Sequence, residues 1–151
     1  MDSLSTLAAS VLLAVLCAAC GGDDTSSSAG GDADAFPDSN GCDPASPEDH
    51  TGDTADVEVD FGASAGNQNV YTPACVKIKA GQKLVYKGNF VAHYLTGGTA
   101  SKDGETPDGS SPIPKTESGT EVTVAFPAAG TFPYYCQQHG TLGMKGAVFA
   151  E

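Results

Sequence analysis

From Val57 onward the chain alternates between apolar and polar residues. Val57-Glu58-Val59-Asp60-Phe61 puts every second side chain on one apolar face, as a strand with one side in a core requires. Cys75-Val76-Lys77-Ile78-Lys79 repeats the pattern, breaks at the turn Ala80-Gly81-Gln82 and resumes as Lys83-Leu84-Val85-Tyr86-Lys87. Gly88-Asn89 marks another turn. Glu121 to Phe126 and the aromatic run Thr131 to Cys136 are separated by Pro127-Ala128-Ala129-Gly130, and Gly146 to Ala150 ends the series. No segment holds a helical period of useful length. Short strands punctuated by glycine and proline predict an all-β sandwich or barrel. Strand signal is weak between Tyr94 and Thr120, where Pro107, Pro112 and Pro114 fall. That segment offers at most an irregular edge strand near Pro112-Ile113-Pro114, and an insert of such length in a compact domain usually covers or does something.

The first 56 residues read differently. Leu7 to Ala19 is apolar but too short to span a bilayer, which predicts a signal peptide over residues 1–19. The sequence Leu16-Cys17-Ala18-Ala19-Cys20-Gly21-Gly22 resembles a bacterial lipoprotein cleavage box. That resemblance implies a lipidated Cys20; a plain secretory signal is the alternative. Residues 20–56 are rich in Gly, Ser, Ala and Asp, with ten acidic residues and no lysine. They predict a flexible, self-repelling tether between a membrane anchor and a folded domain at 57–151, with His50 solvated inside it.

Charge then looks different from its total. The chain carries a net −12, but residues 57–151 hold seven Lys against eight acids, so the domain itself is nearly neutral. A strongly acidic docking face does not follow. Nucleic-acid binding is excluded by the absence of any Arg or basic cluster.

Candidate chemistry gathers in Tyr134-Tyr135-Cys136-Gln137-Gln138-His139-Gly140-Thr141-Leu142-Gly143-Met144. A thiolate, an imidazole and a thioether lie within nine residues, spaced Cys-x2-His-x4-Met between two strand-like runs. A second imidazole, His93, lies upstream at the end of another such run. Two His, one Cys and a weak axial Met are the ligands of a blue-copper electron-transfer site. Taken singly, each has a plainer reading: Met144 as core filler, His93 as a hydrogen-bonded structural residue, Cys136 as a buried thiol. Scarcity weighs against all of these together. Met144 is the only methionine besides the first residue, and His93 and His139 are the only histidines of the domain. Cys42 and Cys75 remain unassigned, and in an exported chain they predict a disulfide pinning the tether to the domain. Such a loop stabilises by roughly 3–4 kcal/mol in the chain-entropy account.

Gly130-Thr131-Phe132-Pro133-Tyr134-Tyr135-Cys136-Gln137-Gln138-His139 and Gly143-Met144-Lys145-Gly146 resemble the carboxy-terminal copper loop of the cupredoxin family, in its plastocyanin and pseudoazurin members. Val76 to Gln82 followed by His93 resembles that family's upstream half. The resemblance covers residues 57–151. It implies a Greek-key β-sandwich, one copper ion held by His93, Cys136, His139 and Met144, and single-electron shuttling rather than catalysis. By the same resemblance, His139 is the electron port, ringed by an uncharged docking patch of Gly140, Leu142 and Gly143, with Lys145 at its edge for weak steering. The partners expected are a redox donor and acceptor that dock briefly on a monomer, itself held by its lipid anchor as a periplasmic or cell-surface lipoprotein. Two positions depart from the family. Gln138 stands where Pro is frequent, and Tyr94 where an Asn often braces the Cys loop. Copper storage or delivery, or a cupredoxin-fold module without redox activity, are the competing roles.

Overall fold

A computed structural model describes residues 39–151; the expected signal peptide, Cys20 and the tether up to residue 38 lie outside the described residues. Among the described residues, ten strands form two sheets. The first has the order β1 (Glu48–Asp49), β4 (Cys75–Ile78), β10 (Lys145–Ala150), β9 (Gly130–Cys136), β6 (Leu95–Ser101), β7 (Gly104–Pro107). The second has the order β3 (Tyr71–Thr72), β2 (Val57–Phe61), β5 (Lys83–Lys87), β8 (Glu121–Ala125). Pairings β1–β4, β4–β10 and β2–β5 are parallel and the others antiparallel. The expected all-β Greek-key sandwich is therefore present, with no α-helix among the described residues.

Alternation places the core. Val57, Val59 and Phe61 of β2 are buried while Glu58 is exposed, and Val76 and Ile78 of β4 are buried between half-buried neighbours. Side chains from both sheets meet in one cluster that includes Phe61, Tyr71, Tyr86, Phe90, Tyr134, Cys136 and Met144. Aromatic edges interlock there: Tyr71 and Tyr134 rings are 4.9 Å apart at 83°, Tyr86 and Tyr134 5.2 Å apart at 78°. Truncating one such ring costs about 3–5 kcal/mol.

Two expectations need correction. Residues 39–56 are part of the fold. Asn40 donates its side-chain amide to the carbonyls of Gly98, Tyr134 and Gly146, and its Oδ1 accepts from Ala100 N–H. Cys42 is disulfide-bonded to Cys75, as expected. Glu48 and Asp49 then pair with β4, and His50 N–H donates to Lys77 C=O at 2.8 Å. His50 is not a solvated tether residue: Nδ1 lies 2.7 Å from Asp53, Nε2 3.2 Å from Glu48, and its carbonyl accepts from Gln82. Acidic composition concealed this arm because its anchors are single polar side chains and a disulfide, not an apolar face.

The weakly patterned segment holds a hairpin, β6–β7, while Pro112-Ile113-Pro114 forms no strand. Ile113 instead drops its side chain into the core. Glycines hid β6 because they are there for space. A Cβ on Gly97 would lie 2.5 Å from Ser111 Oγ, and one on Gly98, whose φ is +132°, would collide with Thr106 C=O.

Candidate metal centre

Cys136 ends β9, and the chain folds back tightly before β10. His139 N–H donates to Cys136 C=O at 3.0 Å, Met144 N–H to His139 C=O at 3.0 Å, and Cys136 N–H to Met144 C=O at 2.9 Å. These bonds close the eight-residue connection into a compact loop with a 3-10 turn at Gly140–Leu142. Gly143 leaves that turn at φ +107°, a conformation that glycine adopts without strain. His93 arrives differently from expectation. It follows a turn after β5 rather than ending a strand: Asn89 C=O accepts from both Ala92 and His93 N–H, and its side chain caps Val91 N–H at 3.0 Å.

These segments bring three donor atoms together. His93 Nδ1 and His139 Nδ1 are 3.3 Å apart, and Cys136 Sγ is 3.4 Å from His139 Nδ1 and 3.9 Å from His93 Nδ1. Around a first-row divalent ion, metal–N bonds of about 2.0 Å and a metal–S bond of about 2.3 Å in a trigonal plane put donors roughly 3.5–3.7 Å apart. The triangle fits such an ion with shifts of a few tenths of an ångström. Met144 is fully buried in the same cluster as Cys136, and its backbone ties both Cys136 and His139.

Electrostatics suit a cation. Burial first, and the neighbouring His139 second, lower the His93 pKa, so its ring favours the neutral form that can ligate. Burial pushes the Cys136 thiol up, opposed by N–H groups of Gln138 and His139 that favour the thiolate. Two imidazoles and a thiolate in a plane are the donor set that selects copper.

Behind the donors, packing holds them still. Gly62, at φ +62°, lies against His93: a Cβ there would sit 3.0 Å from Nε2 and 3.1 Å from Cδ2. Phe61 meets the His93 ring edge-on at 6.0 Å. Gln138, where a proline was the family expectation, turns Oε1 inward, 2.7 Å from Tyr94 N–H and 3.3 Å from Cys136 Sγ. Gln137 N–H donates to Tyr94 C=O at 2.9 Å.

The surroundings of His139 differ in part from expectation. His139 is half-buried, Gly143 is exposed and Leu142 is 77% exposed, in keeping with an accessible patch. Gly140 is not on it. It is buried under the β6–β7 hairpin, where a Cβ would lie 2.9 Å from Tyr135 and 3.0 Å from Ala100 and from Glu105. Lys145 is not free for steering either, because Nζ donates to Ala100 C=O at 2.8 Å. Sequence reasoning passed over Val91, 63% exposed two residues before His93, and the backing roles of Gly62 and Gln138. Gly62, which opens the turn at 62–65, and the polar Gln138 inside the loop carried no period to read.

Comparison with known proteins agrees with this chemistry. Residues 57–151 match the family "Copper binding proteins, plastocyanin/azurin family". Plastocyanin of Scenedesmus fuscus is 31% identical over 102 residues, covering 64% of this chain and all of that protein. Plastocyanin A/B of Petroselinum crispum is 31% identical over 98 residues, covering 61% of this chain and 97% of its own length. A solved pseudoazurin from Methylobacterium extorquens AM1 superposes with a TM-score of 0.48 at 28% identity, over 64% of this chain and 75% of its own. On its donor geometry and the family match over residues 57–151, the chain belongs to the plastocyanin/azurin family of copper-binding proteins, which are in general electron carriers.

Proposed function

We propose that the protein is a mononuclear type 1 blue copper protein that passes single electrons between larger redox proteins outside the cytoplasm. The observation that carries this is the triangle of His93 Nδ1, His139 Nδ1 and Cys136 Sγ, all within 4.8 Å of one another, two of them on the braced 136–144 loop and His93 brought in from the β5–β6 connection. Met144, buried in the same cluster as Cys136, would supply a fourth and weaker donor. Copper bound there supplies a one-electron couple. The residues would supply a stiff holding geometry: the backbone bonds closing the 136–144 loop and the packing of Gly62 on His93 resist movement. Rigidity of this kind keeps the reorganisation on electron transfer small. Half-buried His139, beside exposed Leu142 and Gly143, is the port at which a donor or acceptor docks briefly, and the chain acts as a monomeric carrier rather than a catalyst.

Export and anchoring complete the reading. Residues 1–19 act as the signal, Cys20 takes the lipid, and residues 20–38 form the tether, so the domain stays near a membrane as a periplasmic or cell-surface lipoprotein. The Cys42–Cys75 disulfide supports an oxidising compartment. Copper storage or delivery favours exposed Met/His clusters, and the sequence holds none.

The visible spectrum of the copper-loaded protein tests the carrier. An intense thiolate-to-copper charge-transfer band, absent in Cys136→Ala, is expected; a colourless protein that still binds copper(I) would reassign it to delivery. Met144→Leu should keep copper and raise the potential, and loss of copper would refute Met144 as the weak donor. Cys20→Ser should release the protein from membranes, and continued membrane association would refute lipidation.

A further inference from the structure

Two segments distant in sequence meet at the metal centre, and one side chain touches both. One segment carries His93 and Tyr94; the other runs from Cys136 to His139. A backbone N–H can only donate, so the carboxamide atom of Gln138 lying 2.7 Å from Tyr94 N–H is its oxygen. That same oxygen lies 3.3 Å from Cys136 Sγ. With Gln137 N–H on Tyr94 C=O, both polar backbone groups of Tyr94 are held by consecutive loop residues. The connection runs through the backbone of residue 94, so it is indifferent to the tyrosine side chain there.

We propose that Gln138 is a positioning residue of the metal centre: its carboxamide fastens the His93–Tyr94 segment to the Cys136 loop and sets the charge environment of Cys136 Sγ. The fastening stands on its own in the metal-free protein, while the effect on sulfur rests on the copper reading above. As a thiol, Sγ donates to Oε1. As a metal-bound thiolate it has no proton to give, and the carboxamide cannot turn its N–H groups toward sulfur without releasing Tyr94 N–H. The negative end of the amide dipole therefore faces the sulfur. That favours the more positive, oxidised state of the centre and lowers its reduction potential.

Gln138→Leu removes the carboxamide at similar size, and Gln138→Glu keeps an acceptor oxygen. Gln138 is exposed, so both variants should fold, which thermal denaturation checks. In the metal-free protein, amide exchange of Tyr94 read by NMR should be about tenfold faster in Gln138→Leu, as loss of one protecting hydrogen bond implies. Gln138→Glu should retain the protection. Unchanged Tyr94 exchange in Gln138→Leu would overturn the fastening. In the copper-loaded protein, Gln138→Leu should raise the potential and alter the copper hyperfine splitting, whereas Gln138→Glu should lower the potential. Faster Tyr94 exchange with unaltered potential and hyperfine splitting would overturn the positioning role and leave a purely structural bond. An unsubstituted chain that takes up no copper would overturn the copper reading and the electronic half of the proposal, with Tyr94 exchange still deciding the fastening.

Discussion

Replacing Asn40 tests whether the acidic arm belongs to the folded unit. Its Nδ2 lies 3.1 Å from Gly98 C=O, 2.8 Å from Tyr134 C=O and 3.1 Å from Gly146 C=O, while Ala100 N–H donates to its Oδ1 at 3.0 Å. An amide nitrogen has two hydrogens, so three carbonyls share two donors, and the side chain makes the equivalent of three bonds. At about 1 kcal/mol net each, reduced because the site is only half-buried, their loss costs about 2–3 kcal/mol. Asn40 also sits at φ +52°, where Asn is tolerated and alanine is strained by roughly another 1 kcal/mol. Asn40→Gly therefore isolates the hydrogen bonds, and Asn40→Ala adds the backbone strain. With the disulfide intact, urea unfolding followed by circular dichroism reads both, since the chain has no Trp. With a slope of about 1–1.5 kcal/mol per molar urea, Asn40→Gly should lower the midpoint by about 2 M, and Asn40→Ala by more. A shift equivalent to less than about 0.5 kcal/mol, the range of inert surface changes, would show that the arm merely lies on the domain.

Removing the Cys42–Cys75 disulfide by paired alanine substitution opens a loop of sequence separation 33 and should destabilise by roughly 3–4 kcal/mol; an equally stable variant would mean the arm is held by its polar contacts alone. Gly62→Ala pushes a Cβ onto His93 and forces an L-residue to φ +62°, so it should cost about 1–3 kcal/mol and weaken copper binding. Unaltered copper affinity in that variant would refute His93 as a ligand held from behind. Burial raises the phenol pKa values of Tyr71, Tyr86 and Tyr134. The unfolded chain sheds these protons first, so the stability is intact below about pH 10, the unfolded phenol value, and falls as pH rises above it. In alkaline titration the three should ionise only as circular dichroism reports unfolding; gradual ionisation of all five tyrosines in a native-like chain would refute their burial.

Local pattern determined what local physics controls. Alternation in Val57–Phe61 and in Cys75–Ile78 made those strands readable, because the pleat points every second residue at the core. Donor chemistry singled out Cys136, His139 and Met144 as candidates, since few residue types hold a soft metal and the chain has few of each, and the fold brings the Cys136 and His139 donors together with that of His93. Tertiary structure decided what depends on single polar bonds and on space. The place of residues 39–56 rests on Asn40, a disulfide and a two-residue strand, none of which leaves a period in the sequence. The β6 strand is built on Gly97 and Gly98, chosen for close approach to Ser111 and Thr106 and thus without strand propensity. Gly140 is a loop glycine by sequence, yet a hairpin some 35 residues upstream makes it a buried contact. In the sequence Gln138 and Tyr94 read only as departures from the family pattern. Only the folded chain brings Tyr94 N–H within 2.7 Å of the Gln138 oxygen, because that bond spans 44 residues.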